Sequence, residues 1–215
     1  MTYRAKKNFV SILPYAVWMV MMLLLPSTPE CYAARTLVTL IILLPCLFYL
    51  EHHHGVIHRN STFKPELVWG IIVGLLVLAI WVWPEQFGWY RKWCIYGDGG
   101  TAAVDESEMV YKIVRLLGSA FVISIAEELF FRRWLMRFAG FWLTVALFAV
   151  EHDRWLVGAI AGMLYGWLAI RKGLLSAIIA HVTTNLALGL YVLETGNWQF
   201  GEATGERRLR ASRFW

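Results

Sequence analysis

The chain has 215 residues, 59% of them hydrophobic and only 16% charged, with 12 Trp and a formal net charge of +5. Soluble domains carry about 25% charged residues, so the composition excludes an ordinary soluble core and calls for an all-α, polytopic membrane helix bundle, a single integral domain over 1–215. The positive balance does not indicate nucleic acid, because Lys and Arg sit in short connections beside apolar runs, as in cytoplasmic loops of membrane proteins.

In chain order, Lys6 and Lys7 precede an apolar run from Phe9 to Leu25. The run is long for a signal-peptide core, and Cys31 to Ala34 makes a poor cleavage site, so a retained first helix is expected. Runs from Ala33 to Leu50 and from Leu67 to Trp83 follow, each near the length needed to cross about 30 Å of hydrocarbon. From Pro84 to Glu108 the composition shifts to Gly, Trp, Tyr and acidic residues, which reads as an interfacial loop with room for a short surface helix.

Four more helices are predicted at Tyr111–Phe138, Phe141–His152, Leu156–Ile170 and Leu174–Leu193, within a motif-bearing core of about 111–193. The total is seven spans, or eight if one is unrecognised. A polar basic tail over about 196–215 closes the chain. Arg132, Arg133, Arg137, Arg171 and Lys172 fall on the same side as Lys6 and Lys7, opposite the acidic Asp105, Glu106 and Glu108, which places the amino terminus in the cytoplasm. The tail, with Arg207, Arg208, Arg210 and Arg213, disagrees, since seven spans put it outside. Cys31, Cys46 and Cys94 have no metal-ligand spacing and read as ordinary thiols.

Six polar side chains inside these apolar segments carry the functional signal: Glu127, Glu128, Arg132, His152, His181 and Asn185. Ionisable groups in hydrocarbon cost several kcal/mol by most measures and mark pathways, relays or active sites. With Gly140 as the turn between the fourth and fifth helices, Glu127 lies about 20 Å and His152 about 18 Å from it along their helices. From Gly173, at the same face, His181 is about 12 Å and Asn185 about 18 Å deep, so all four fall within one slab.

Local spacing refines their roles. Glu128 and Arg132, four apart, share a helix face, while Glu127 is turned by about 100° and left free to act as a base. His181 and Asn185 project together, as do Phe148 and His152. Gly158, Gly162 and Gly166 form a small-residue ridge suited to close helix packing, hence scaffold. The plainer readings are a structural ion pair for Glu128 and Arg132, packing for Phe148, and a headgroup-level loop for His52, His53, His54 and His58. Either histidine alone would be an ordinary packed residue; their combination with Glu127 and Asn185 favours chemistry.

The ordered set Glu127-Glu128-x-x-x-Arg132, Phe148-x-x-x-His152 and His181-x-x-x-Asn185 resembles the three-motif signature of the CAAX protease and bacteriocin-processing (CPBP, or Abi) family of intramembrane endopeptidases. That family includes type II CAAX prenyl endopeptidases, which remove the last three residues of prenylated proteins, and bacterial members implicated in bacteriocin immunity. The short Trp-rich chain also resembles bacterial CAAX prenyl protease-related proteins found beside exosortase sorting systems.

The resemblance implies that Glu127 deprotonates a water, His152 positions it, and His181 and Asn185 donate hydrogen bonds to the developing oxyanion, with Glu128 and Arg132 holding the helix. Glu127, His152 and His181 also form the carboxylate-and-two-imidazole set of catalytic zinc sites, without an HExxH motif, so Zn2+ or another divalent ion is left open. The implied partners are membrane lipids and a hydrophobic or lipid-modified peptide, with no nucleic acid, and the expected location is a bacterial inner membrane. Two rival readings use the same residues: an inactive peptide-binding or immunity-type protein, and a proton-coupled transporter.

Overall fold

The computed structural model describes residues 3–26, 28–54, 63–94, 109–197 and 200. Among them the chain is a bundle of helices without strands, an integral membrane protein in composition and shape. Helices α1 (Tyr3–Leu24), α2 (Pro29–His54) and α3 (Phe63–Val82) run alternately up and down; a 3-10 turn (Trp83–Gln86) and short α4 (Gly88–Cys94) follow. This pair falls at the start of the Pro84–Glu108 stretch where a short helix was expected. Next comes one long rod: α5 (Met109–Leu117), a π-helical stretch (Gly118–Ile123), α6 (Ser124–Glu128), and a second π-helical stretch (Leu129–Leu135) that enters α7 (Met136–Glu151). Helices α8 (Trp155–Arg171) and α9 (Leu174–Thr195) complete the bundle.

The apolar surface explains why these helices stay in lipid. Ile41, Leu44 and Phe48 on α2 and Trp142, Leu143, Leu147 and Val150 on α7 are exposed, a pattern costly in water and neutral in hydrocarbon. Backbone polar groups inside a bilayer have no water to bond, so helices satisfy them internally. Glycines then set the helix spacing. A Cβ added to Gly74 of α3 would sit 2.6 Å from the Ala180 carbonyl oxygen of α9, so only glycine allows that approach. The expected ridge on α8 works the same way and receives α7: Gly166 seats Phe141, Gly162 seats Phe148 and Gly158 seats His152.

Among the described residues, five helices are long and apolar enough to cross a membrane, with 109–151 counted as one. Gly140 divides that segment, its backbone at φ 79° and ψ 174°, a conformation that only glycine adopts without strain. Gly140 is thus the turn expected from the sequence. Beyond it, Phe141 to Glu151 rises only about 16 Å, half of the hydrocarbon thickness. The seven expected segments are therefore all helical, and the fifth forms a hairpin with α8 whose tip meets the Trp83–Cys94 segment through Arg154–Glu85 and Trp155–Trp93 contacts.

The helix ends define two faces. Tyr3, the Gly140 turn and the turn at Gly173 lie at the amino-terminal face; the ends of α1, α3 and α9 and the starts of α2 and α5 lie at the opposite one. His58, the acidic Asp105, Glu106 and Glu108, and the tail arginines Arg207, Arg208, Arg210 and Arg213 lie outside the described residues.

Candidate active site

Helix α6 is one turn and a half of α-helix between two π-helical stretches, and it carries both glutamates. Isolated π turns widen a helix and recur at functional sites, because they re-aim the side chains beside them. Glu128 is fully buried and Arg132 is 3% exposed. Arg132 Nε lies 3.3 Å from Glu128 Oε2, close enough for a strong charge interaction though not aligned as a hydrogen bond. The guanidinium stacks 4.2 Å from the Phe148 ring centroid and donates from Nη2 to the Gly162 carbonyl at 3.4 Å. Arg132 therefore ties the second π-helical stretch to α7 and α8 as well as balancing Glu128.

His181 joins the two glutamates. Its Nδ1 lies 2.9 Å from Glu128 Oε1, and its Nε2 lies 3.6 Å from Glu127 Oε2. A carboxylate only accepts, so Nδ1 carries a proton and the ring orientation is fixed. Glu127 Oε2 is buried without a hydrogen-bond partner, so its interaction with His181 is the close one on that side. One proton placed between Nε2 and Oε2 makes the group of Glu127, Glu128, Arg132 and His181 electrically neutral. That proton belongs to the pair, which can take another from a neighbouring molecule or give one back.

His152 terminates α7, its backbone already extended at φ −101° and ψ 137°. Nδ1 lies 2.7 Å from the Phe148 carbonyl oxygen. A carbonyl accepts only, so Nδ1 holds the proton and Nε2 presents a lone pair. Phe148 and Trp81 clamp the ring at centroid distances of 4.5 and 5.5 Å.

Asn185 is hydrogen-bonded within the protein. Its Nδ2 donates to the Ser124 hydroxyl at 2.9 Å and to the Ser119 carbonyl at 3.2 Å. The carbonyl acceptor fixes which end of the amide points there. Both amide hydrogens are therefore engaged within the protein, and Asn185 ties α9 to the first π stretch and to the start of α6. His181, expected with Asn185 as an oxyanion donor, bridges the glutamates.

These side chains meet at one cavity of about 190 Å³, lined by Glu127, His152, His181 and Asn185 together with Phe148, Glu151, Tyr165 and Thr184. Sequence reasoning passed over Tyr165 and Thr184. Tyr165 stacks on His181 at 4.9 Å and donates to the Thr184 hydroxyl at 2.7 Å; that hydroxyl reaches the carbonyl oxygens of Gly74 and Ala180 at 2.9 Å each. The signal was present: Thr184 is three residues past His181 and Ser124 three before Glu127, each on its neighbour's helix face. His52 and His53, by contrast, are exposed at the end of α2, beside Phe48 and Tyr49.

A metal was left open by the sequence. Among the described residues no three His, Cys, Asp or Glu side chains are arranged to hold one ion. His181 turns Nδ1 to Glu128, and its Nε2 stands 3.6 Å from Glu127 Oε2.

Residues 109–187 match the protein family described as Type II CAAX prenyl endopeptidase Rce1-like. The matched segment contains Glu127, Glu128, Arg132, His152, His181 and Asn185. No curated protein and no solved structure matches the chain.

Proposed function

We propose, for a chain that belongs to the CAAX protease family through residues 109–187, that its cavity hydrolyses a peptide bond of a membrane-associated polypeptide with Glu127 as the base. The observation that supports this most is the contact of Glu127 with His181, with His152 in the wall of the same cavity. A water held between Glu127 and the His152 Nε2 lone pair loses its proton to Glu127 while its oxygen bonds to the scissile carbonyl carbon. The tetrahedral adduct then collapses, the carbon–nitrogen bond breaks, and the proton on the Glu127–His181 pair passes to the leaving amine. Water ends as one hydrogen on the new amine and one oxygen on the new carboxyl group, which keeps the second hydrogen until it ionises to the carboxylate and releases it as a proton.

Glu128 and Arg132 act through others. Glu128 fixes the tautomer of His181, and Arg132 supplies the buried counter-charge. Tyr165 and Phe148 hold the His181 ring between them. The apolar lining, including Trp18, Met19 and Leu188, suits a hydrophobic or lipid-modified peptide, such as a prenylated one.

The test is cleavage by the protein reconstituted in liposomes, with farnesylated and unmodified peptides assayed by mass spectrometry. Wild type is expected to cleave, and Glu127→Ala, His152→Ala and His181→Ala to lose 100-fold or more, on the order of 2.7 kcal/mol in the barrier. Equal cleavage by all four proteins would overturn the assignment.

A further inference from the structure

A carboxyl group in the cavity wall has no part in the proposed hydrolysis. Glu151 ends α7, one residue before His152, and lines the same cavity. Its Oε2 is buried without a hydrogen-bond partner, and among the described residues no ion pair reaches Glu151. The charged groups around it are placed otherwise. Arg154, at the tip of the α7–α8 hairpin, pairs with Glu85, and Asp153 has a contact of its own within the protein. The remaining cations of the lining, Lys112 and Arg115, belong to α5, where Arg115 packs over the Tyr32 ring at 5.7 Å.

A carboxylate withdrawn from water is costly unless a positive charge meets it. Glu151 also stands at the carboxy-terminal end of α7, where the helix dipole is negative and favours cations. Burial and dipole both call for a positive partner, and among the described residues none supplies it. The walls beside Glu151 suit a cation as well. Trp81 and Phe148, which clamp the neighbouring His152 ring, line the same space. Aromatic faces attract ammonium and guanidinium groups and pack against their aliphatic stems.

We propose that Glu151 is a specificity residue, which binds the cationic side chain of a substrate lysine or arginine close to the scissile bond. This rests on the hydrolase reading and narrows its substrate to an apolar or lipid-bearing segment with a basic residue beside the bond that is cut. Because Glu151 and His152 are consecutive, the cation docks next to the imidazole that positions the water. A basic residue far along the segment does not reach it.

Binding tests this without any cleavage. The full chain carrying Glu127→Gln is placed in phosphatidylcholine nanodiscs and titrated with fluorescent, farnesylated peptides. Each peptide is uncharged except for one lysine, moved stepwise along its sequence, and has norleucine and aspartate counterparts; empty nanodiscs give the background. At one stretch of adjacent positions, lysine is expected to tighten binding about tenfold over norleucine. Adding Glu151→Gln should bring the lysine peptide to the affinity of the norleucine peptide, whose own binding stays unchanged. Adding Glu151→Lys should move the preference to aspartate, a gain that misfolding cannot produce. Equal affinity for lysine and norleucine at every position, a lysine preference that survives Glu151→Gln, or no binding by any peptide overturns the proposal. Cleavage by the chain with Glu127 intact is read separately. A protein that prefers lysine yet cuts nothing contradicts the hydrolase reading alone, and one that cuts without regard to lysine contradicts the role of Glu151 alone.

Discussion

Glu127 and Glu128 are neighbours in sequence and both lie among buried groups, yet their removal should have opposite signatures. In Glu128→Ala, Arg132 keeps its burial at 3% exposure and loses the carboxylate 3.3 Å away, and His181 Nδ1 loses its acceptor at 2.9 Å. Taking one partner from a buried ion pair costs about 3–5 kcal/mol, a large share of a total stability of about 5–15 kcal/mol. In Glu127→Gln, the group removed has one oxygen with no hydrogen-bond partner and a 3.6 Å contact to His181. Its loss should change stability by less than about 1 kcal/mol. Reversible unfolding in mixed micelles is expected to show Glu128→Ala strongly destabilised and Glu127→Gln close to wild type, with cleavage lost in both. Equal destabilisation of the two would show that Glu127 is structural, and the division of labour argued here would fail.

Further outcomes follow from the same contacts. Asn185→Ala removes one hydrogen bond to the first π stretch and one to the start of α6 and should cost about 1–3 kcal/mol in stability, with a smaller loss of cleavage rate than Glu127→Gln; a rate loss as large, at unchanged stability, would make Asn185 an oxyanion donor. Gly162→Val drives side-chain atoms toward Phe148, where even a Cβ would lie 3.2 Å from the ring, and should lower thermal stability while also weakening cleavage through displaced Phe148 and Arg132. Tyr165→Phe loses the 2.7 Å bond to Thr184 and should cost about 0.5–1.5 kcal/mol with His181 still stacked, so cleavage should fall only a few-fold. Incubation with a zinc chelator should leave cleavage unchanged, because the donors around Glu127 do not assemble a three-ligand centre; a loss restored by added zinc would refute that geometry.

Much of the site was legible in the sequence because helix periodicity is local. Glu128 and Arg132 at four-residue spacing meet as expected, and Gly140 turns the chain where the depth argument needed it. The small-residue ridge was legible as scaffold, but which side chains it seats was not, since partner choice between helices is tertiary. The partners of Asn185 were hidden for a related reason, since its acceptors Ser119 and Ser124 lie in and just after a π-helical widening that α-helical periodicity does not contain. The bridging place of His181 was hidden because its two glutamates lie more than fifty residues away along the chain.

Isotope transfer addresses the reacting carboxylate itself. Wild type and Glu127→Gln are incubated in liposomes with a farnesylated peptide in water enriched in oxygen-18, and the products are weighed. The wild-type reaction should place one oxygen-18 atom in the newly formed carboxylate, and Glu127→Gln should release no product. Cleavage by Glu127→Gln at the wild-type rate would mean that another group activates the water, and the role given to Glu127 would be wrong.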